Sequence, residues 1–352
     1  MSRFVQIHLL TSYPPSNLNR DDLGRPKTAV MGGSTRLRIS SQSLKRAWRV
    51  SEIFQQSVRK ENIGTRTKTM GVEVYNKLLE KGIDEGQARE WGRIIAGKFG
   101  KLKSGNTNRP LDALKIEQLA HFTPQETKRI FDLVDRLAET QASPTDQDLN
   151  LLQKDHTAAD IALFGRMLAD ATAYNVEAAA QVAHAITVHR IAVEDDFFTA
   201  VDDLNSGEED MGAAHVDSSE FAAGLFYLYI CIDTNSLLKN LADNTDLAGK
   251  AVAGLVEAAA KVSPTGKQNS FASRAYASYV LAEKGDQQPR SLSVAFLKPI
   301  TADDLLAESV KQLSATRDRI DKVYGPCAAD CRSMNALTGE GSLAEIIKFV
   351  LE

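Results

Sequence analysis

The sequence predicts an α+β fold: a βαββαβ sheet of the ferredoxin-like or RNA-recognition type, interrupted by a helical insertion and by a hairpin arm. Three observations predict it. Short alternating or apolar runs near the start, middle and end read as strands. A charged stretch of helical period separates the first strand from the others, and an acidic, glycine-bearing segment lies between the two middle strands. Removing those two interruptions leaves a split βαβ order.

Phe4–Leu10 alternates, with Val5, Ile7 and Leu9 on one face and Gln6 and His8 on the other. Tyr13 to Gly33 carries Pro14, Pro15, Pro26 and Gly32–Gly33, which predicts a long irregular loop, and loops of that length in a compact domain usually carry function. Thr35–Arg38 alternates as a half-buried strand, Leu37 and Ile39 on one side and Arg36 and Arg38 on the other. Ser40 and Ser41 offer an N-cap, and Leu44, Ala47 and Trp48 follow at helical spacing, with Phe54 near the same stripe.

From about Thr65 to Thr140 the period is helical and the surface charged, with breaks near Gly82, Asn106–Pro110 and Pro144; this is the insertion. Ala158–Leu168 is a short apolar run ending in Arg166 and Met167. Ala178–Ile191 reads as a strand with Val182, His184, Ile186 and Val188 on one side, so His184 and His189 share no metal. Val193–Gly224 is the arm, with Phe197–Phe198 near its start and Glu194, Asp195, Asp196, Asp202, Asp203 and Glu208 making it acidic. Ala222–Ile232 reads as a buried strand, and Asp246–Val262 as an Ala-rich helix stopped by Pro264. Phe271–Leu281 and Ser291–Pro299 read as strands, and Asp303–Val323 and Ser342–Leu351 as helices.

Charge singles out one stretch. Asn19–Arg49 holds eight basic residues (Arg20, Arg25, Lys27, Arg36, Arg38, Lys45, Arg46, Arg49) against Asp21 and Asp22, a net +6 in a chain of −4, so the rest carries −10. A cationic segment on an acidic body is a footprint for a polyanion; the plain alternative is a solvated arginine-rich face. The helical period places Lys45, Arg46 and Arg49 in the first turns of a helix, where the macrodipole makes basic residues unfavourable unless an anion binds. A phosphate-binding helix start is the expectation.

Other chemistry finds little support. No nucleophile elbow, Walker A loop or dinucleotide fingerprint is present. Cys231, Cys327 and Cys331 lack the further ligands of a zinc site, so no metal or cofactor is expected. The acidic pairs Asp21–Asp22, Asp195–Asp196 and Asp202–Asp203 could hold Mg²⁺, but such pairs are more often surface residues or partners of arginines. The aromatic signature of the common RNA-recognition module is absent, so base stacking on the sheet is not expected. A composition of 43% hydrophobic and 25% charged residues is that of an ordinary soluble protein of one large or two ordinary domains. The N-terminus lacks signal-peptide organisation and no apolar run reaches membrane-spanning length, so a cytoplasmic location without a membrane partner is expected.

The motifs LNRDD, the Gly-Gly pair, RLRISSQSLKRAWR, DIALFGRM, AHAITVHR, FFTAVDDL and SSEFAAGLFYLY resemble, in order, those of CasC, the repeated backbone subunit of type I-E CRISPR Cascade complexes. They span the first two-thirds of the chain; Arg59–Gln153 and the part after Leu238 match loosely. The resemblance implies a right-hand shape: an RNA-recognition-like palm (1–58, 179–191 and, with C-terminal helices, 224–352), helical fingers (59–178) and a protruding thumb hairpin (192–223). It implies head-to-tail polymerisation into a helical filament along a CRISPR RNA, without enzymatic activity. Arg20, Lys27, Ser40, Gln42, Lys45, Arg46 and Arg49 would grip guide phosphates. Arg166 and Met167 from the fingers, with Phe197 and Phe198 from the thumb, would lie against bases. The partners implied are crRNA, target DNA paired to the guide, further copies of the chain, other Cascade subunits and a recruited nuclease-helicase. In the loosely matching C-terminal third, RNA contacts by residues such as Lys267, Arg274 and Lys298 are left open. Two competing expectations are a target-RNA-cleaving backbone subunit that uses Asp21 or Asp22, and a free-standing single-stranded RNA binder.

Overall fold

In the computed structural model, which describes residues 2–105, 108–154, 157–200 and 215–352, the first strand, β1 (Phe4–Ser16), is covered on both faces. Val5, Ile7 and Leu9 are buried as the alternation predicts, but Gln6 and His8 are buried too. The strand continues through Pro14 and Pro15 after a register shift at Leu10/Thr11, so the expected loop from Tyr13 is half strand. Its other end is a hairpin: β2 (Thr28–Met31) pairs with β3 (Ser34–Ile39), Met31 facing Ser34 across Gly32 and Gly33. Both glycines have positive φ (57° and 72°), the geometry of a two-residue type I′ turn. A Cβ on Gly32 would also overlap the Leu297 carbonyl oxygen.

Ser40 caps α1 (Ser41–Arg49), its Oγ accepting from the Ser43 N–H, and Ser51 Oγ accepts from Phe54 N at the start of α2 (Glu52–Val58). The insertion follows. β4 (Thr65–Thr67) pairs with β5 (Ala120–Phe122) in a two-stranded sheet. Around it stand α3 (Met70–Glu80), α4 (Glu85–Gly97), α5 (Pro124–Thr140) and α6 (Ala159–Phe164). Val74, Leu78, Trp91, Ile95, Ile130 and Val134 form its core. Helices α3 and α4 approach closely because Gly71 and Gly92 face each other; a Cβ on Gly71 would sit 2.3 Å from the Leu114 carbonyl oxygen.

The chain then returns through β6 (Ala180–Val182) and β7 (Ala185–Thr187) to a ribbon of β8 (Glu194–Ala200) and the 19-residue β9 (His215–Asp233). Next come α7 (Thr234–Asn240), α8 (Thr245–Lys261), the single turn α9 (Gln268–Phe271) and β10 (Ala277–Gly285). Last are α10 (Leu305–Tyr324), β11 (Asp330–Asn335) and α11 (Leu343–Leu351). The main sheet runs β11-β10-β1-β9-β7-β3-β2, and β6 and β8 join it through β9. Its centre, β10-β1-β9-β7, is the strand order of a ferredoxin-like βαββαβ unit, so the predicted fold class holds.

Three local expectations are corrected. Ser291–Pro299 is no strand but a 3₁₀ turn at Ser293–Phe296; β11 takes the place beside β10. Phe271 lies before β10, in α9. The run expected as one strand is two short ones, β6 and β7; in β7 Ala185 and Thr187 are buried, while His184 is exposed. Three residues of strand leave too short an alternation to set a register alone.

Two compact units result: residues 1–54, 181–231 and 252–352, and residues 55–180 with 232–251.

The first unit contains a buried polar chain. The Tyr227 hydroxyl donates to His8 Nδ1 at 2.8 Å and accepts from the Leu292 N–H, so His8 carries its proton on Nε2, 3.1 Å from Glu283 Oε2. Arg290 binds both Glu283 oxygens and reaches Asp321 at 3.2 Å. Burial holds the His8 imidazole below its ordinary 6.5 and hence neutral. Burial alone would raise the Glu283 carboxyl, but hydrogen bonds from His8 and Arg290 hold it at about 2. Both groups bind protons more readily in the unfolded chain, so each contributes stability that acid removes. Unfolding midpoints in urea should fall as the pH drops below about 6.5, where unfolded His8 protonates, and fall further from about 4.5 toward 2. At pH 7, Glu283→Gln should cost about 3 kcal/mol by urea titration, since Arg290 loses its buried counter-charge.

Candidate nucleic-acid interface

In the first unit, the turn after β1 is built by short polar side chains. Asn17 is buried, and its amide donates to the carbonyls of Gly24 and Glu220, both at 2.9 Å. Asp21 Oδ1 accepts the Leu23 and Arg25 N–H groups, so this carboxylate caps its own turn. The Lys27 N–H donates to the Asn19 carbonyl, and Asn19 Oδ1 accepts the Ser40 N–H at 2.8 Å. The loop is thus tied to the N-cap of α1, and it presents Arg20, Asp22 and Arg25 to solvent. Arg25 lies 3.4 Å from Glu220; Arg20 and Lys27 have no carboxylate partner among the described residues.

Helix α1 divides by period. Leu44 and Trp48, four apart, are buried at 3% and 1% exposure and anchor it, each contributing about 1.5–3 kcal/mol. Gln42, Lys45, Arg46 and Arg49 recur at i, i+3, i+4 and i+7 on the opposite face. The expected location in the first turns is corrected: the helix has nine residues, and Arg46 and Arg49 are in its last turn, where the macrodipole favours cations. The basic face therefore needs no anion to be tolerated. Ser40 is buried and its hydroxyl serves the cap. Partial burial lowers the Lys45 ammonium below its ordinary value, which an adjacent phosphate would reverse.

Strand β3 was expected to present Arg36 and Arg38 together. Arg36 is instead wholly buried, donating to the carbonyls of Thr187 at 2.8 Å and Phe296 at 3.0 Å, because the 3₁₀ turn covers that face. Arg38 remains partly exposed and donates to His184 Nδ1 at 2.9 Å. Partial desolvation, then the charges of Arg38 and Lys27, hold His184 below its usual range. Reasoning from sequence missed His184 as part of this cationic edge; its position in a basic neighbourhood depends on β3 pairing with β7.

On the ribbon, Phe197 lies opposite Ser218 and Phe198 opposite Asp217, so the two rings point to opposite faces. They are 67% and 41% exposed. Asp195 faces Glu220 across the strands, a like-charge pair unfavourable unless a cation approaches. Asp202, Asp203 and Glu208 lie outside the described residues.

In the second unit Arg166 and Met167, adjacent in sequence, have opposite fates. Arg166 is 3% exposed; its Nη1 binds both oxygens of the buried Glu126 at 2.7 and 3.0 Å. Its other nitrogens reach the carbonyls of Tyr174 and Gln153. Glu126 also completes a capping box with Thr123 at the start of α5. Arg166 is therefore corrected from a base contact to an internal tie: its donors are used inside the protein. Met167 is 77% exposed, beside a pocket of about 140 Å³ floored by Phe99, Ala120 and Leu168.

Among the described residues no group of three His, Cys, Asp or Glu side chains is placed to hold a metal ion. Among the described residues no helix is long and apolar enough to cross a membrane.

A family model described as CT1975-like protein matches residues 5–348. Two solved structures contain similar chains. One, from a structure described as "CRISPR RNA-guided surveillance complex, pre-nicking", is 29% identical with a TM-score of 0.85, over 99% of both chains. The other, from a "CRISPR RNA-guided surveillance complex", is 24% identical with a TM-score of 0.74 over 99% of both, a likeness of fold. No curated protein sequence matches.

Arg166→Ala should lower unfolding stability by about 3–5 kcal/mol, because Glu126 is left charged and buried. Met167→Ala should change it by less than about 0.5 kcal/mol, as for an exposed side chain. Urea titration of the two variants reads the difference.

Proposed function

This chain belongs to the CT1975-like protein family, and from that premise we propose that it is the crRNA-binding backbone subunit of a type I-E CRISPR Cascade complex. The observation that carries the reading is the cationic set on one polar scaffold: Arg20 and Lys27 on the tied loop, and Gln42, Lys45, Arg46 and Arg49 on one face of α1. A similar chain's presence in an RNA-guided surveillance complex supports the same reading.

The chemistry suits a guide that must accept any sequence. Lysine and arginine hold phosphates, which carry no sequence information, and leave Watson–Crick edges free for target DNA. Met167 and Phe198, with Phe197, act as apolar wedges that displace bases at intervals without reading them. Copies assemble head to tail along the guide, an open heterologous contact, together with other Cascade subunits and a recruited nuclease-helicase. The subunit itself is a scaffold in the cytoplasm, and catalyses nothing. Asp21, one candidate for RNA cleavage, already spends its carboxylate on two backbone N–H groups.

Substituting Lys45, Arg46 and Arg49 together by alanine should weaken binding of a guide RNA and reduce the slope of log K against log salt by about 2, at roughly 0.7 per phosphate on a single strand. An unchanged slope overturns the phosphate-gripping role. Assembled on a guide and given matching RNA with Mg²⁺, the complex should leave that RNA intact; periodic cuts lost in Asp22→Ala would make it a nuclease. Electron microscopy of the chain co-expressed with a CRISPR RNA should show a helical filament, whereas saturable binding without polymerisation would make it a free-standing binder.

A further inference from the structure

The segment from Ser263 to Tyr276, between α8 and β10, holds Lys267 and Arg274, whose contacts the sequence left open, and it is pinned at several points. Ser263 Oγ closes its base by accepting the Ala275 N–H and donating to the Ala275 carbonyl. Gly266 packs on the stem of the basic loop: a Cβ there would come within 2.4 Å of the Leu18 carbonyl oxygen, two residues before Arg20. Lys267 Nζ donates to Ser219 Oγ at 2.7 Å, and the Phe271 ring lies 5.8 Å from that of Phe221, both on β9. The segment is thus fixed both to the loop that presents Arg20 and to the root of the ribbon that bears Phe197 and Phe198.

The fixing is done at a cost in local comfort. Lys267 and Ala272, neither a glycine, adopt left-handed backbone with φ of 46° and 47°, on either side of the single turn α9. Ser273 Oγ is wholly buried with no hydrogen-bond partner. What this rigid segment presents is a cation and a ring. Arg274 is exposed, and no carboxylate pairs with it among the described residues; Tyr276 is 69% exposed.

We propose that Ser263–Tyr276 is a second wall of the RNA-binding surface, with the Arg274 guanidinium on a backbone phosphate and the Tyr276 ring against a base or ribose of the same strand. The proposal rests on the guide-binding reading above and adds residues that the basic loop and α1 do not supply. An arginine on a loop tied down at Ser263, Gly266 and Lys267 loses less freedom when it meets a phosphate, and a tyrosine offers a stacking face that tolerates every base. Glu220 on β9 is already paired with Arg25.

The test uses the full chain and a fluorescent single-stranded RNA too short to hold two copies, so that contacts between copies do not register. Arg274→Ala should reduce the salt slope of binding by about 0.7, and Arg274→Lys should restore it. Tyr276→Ala should weaken binding about tenfold with the slope unchanged, and Tyr276→Phe should bind as the parent does. Melting temperatures of all four variants should match that of the parent. If both alanine variants bind with parental affinity and slope while the Lys45, Arg46 and Arg49 variant is weakened, this wall is wrong and the guide-binding reading stands. If the triple variant also binds as the parent does, both are wrong. A loss in Arg274→Ala that lysine does not restore, with a lowered melting temperature, would make the residue a part of the fold and overturn the proposal.

Discussion

A guanidinium withdrawn from water is tolerated only when acceptors surround it, and that requirement sorts the arginines of this chain into two kinds. Arg36, Arg166 and Arg290 are surrounded: by carbonyls of Thr187 and Phe296, by Glu126 with three carbonyls, and by Glu283 with Asp321. Each joins segments remote in sequence, so each fixes tertiary structure. Even so, Arg36 Nε and Arg290 Nε have no partner, which is the expense of burying so many donors in a cramped interior. The remaining basic residues of Asn19–Arg49 lie on the surface of a chain whose net charge is negative. On the proposed reading, their clustering matches the phosphates of a polyanion.

The same economy of polar groups shapes the loop after β1. Asn17, Asn19 and Asp21 spend their side chains on backbone N–H and C=O groups of the loop and of the α1 cap. Arg20 and Lys27 are thereby held in a fixed relation to the basic face of α1 without any bound ligand. On the proposed reading, pre-setting the frame lowers the entropy lost when a strand of RNA is gripped. In that reading the short polar residues are supports and the long basic ones are contacts.

How much of this could be read from residues alone depended on the length of each pattern. The order β10-β1-β9-β7 follows from strands with strong apolar character, and the polar and buried faces of α1 follow from four basic or amide positions against Leu44 and Trp48. Shorter patterns misled. The alternation of SLSVAFLKP suggested a strand, yet it forms a 3₁₀ turn whose carbonyls receive Arg36. Arg166 and Met167 read alike as neighbours at the end of one run, but Glu126, forty residues earlier, draws Arg166 inside and leaves Met167 in solvent.

By itself the sequence determined the fold class, the charge anomaly at Asn19–Arg49 and the helical stripe that turns its last third into a basic face, because each is a local or periodic property of the chain. Tertiary structure alone decided which cations are structural and which are exposed. It also brought His184 beside Arg38 and joined Ser263–Tyr276 to the stem of the basic loop. The physical reason is that burial of a charge depends on acceptors supplied from elsewhere in the chain, and no periodicity along the sequence records where those acceptors will be.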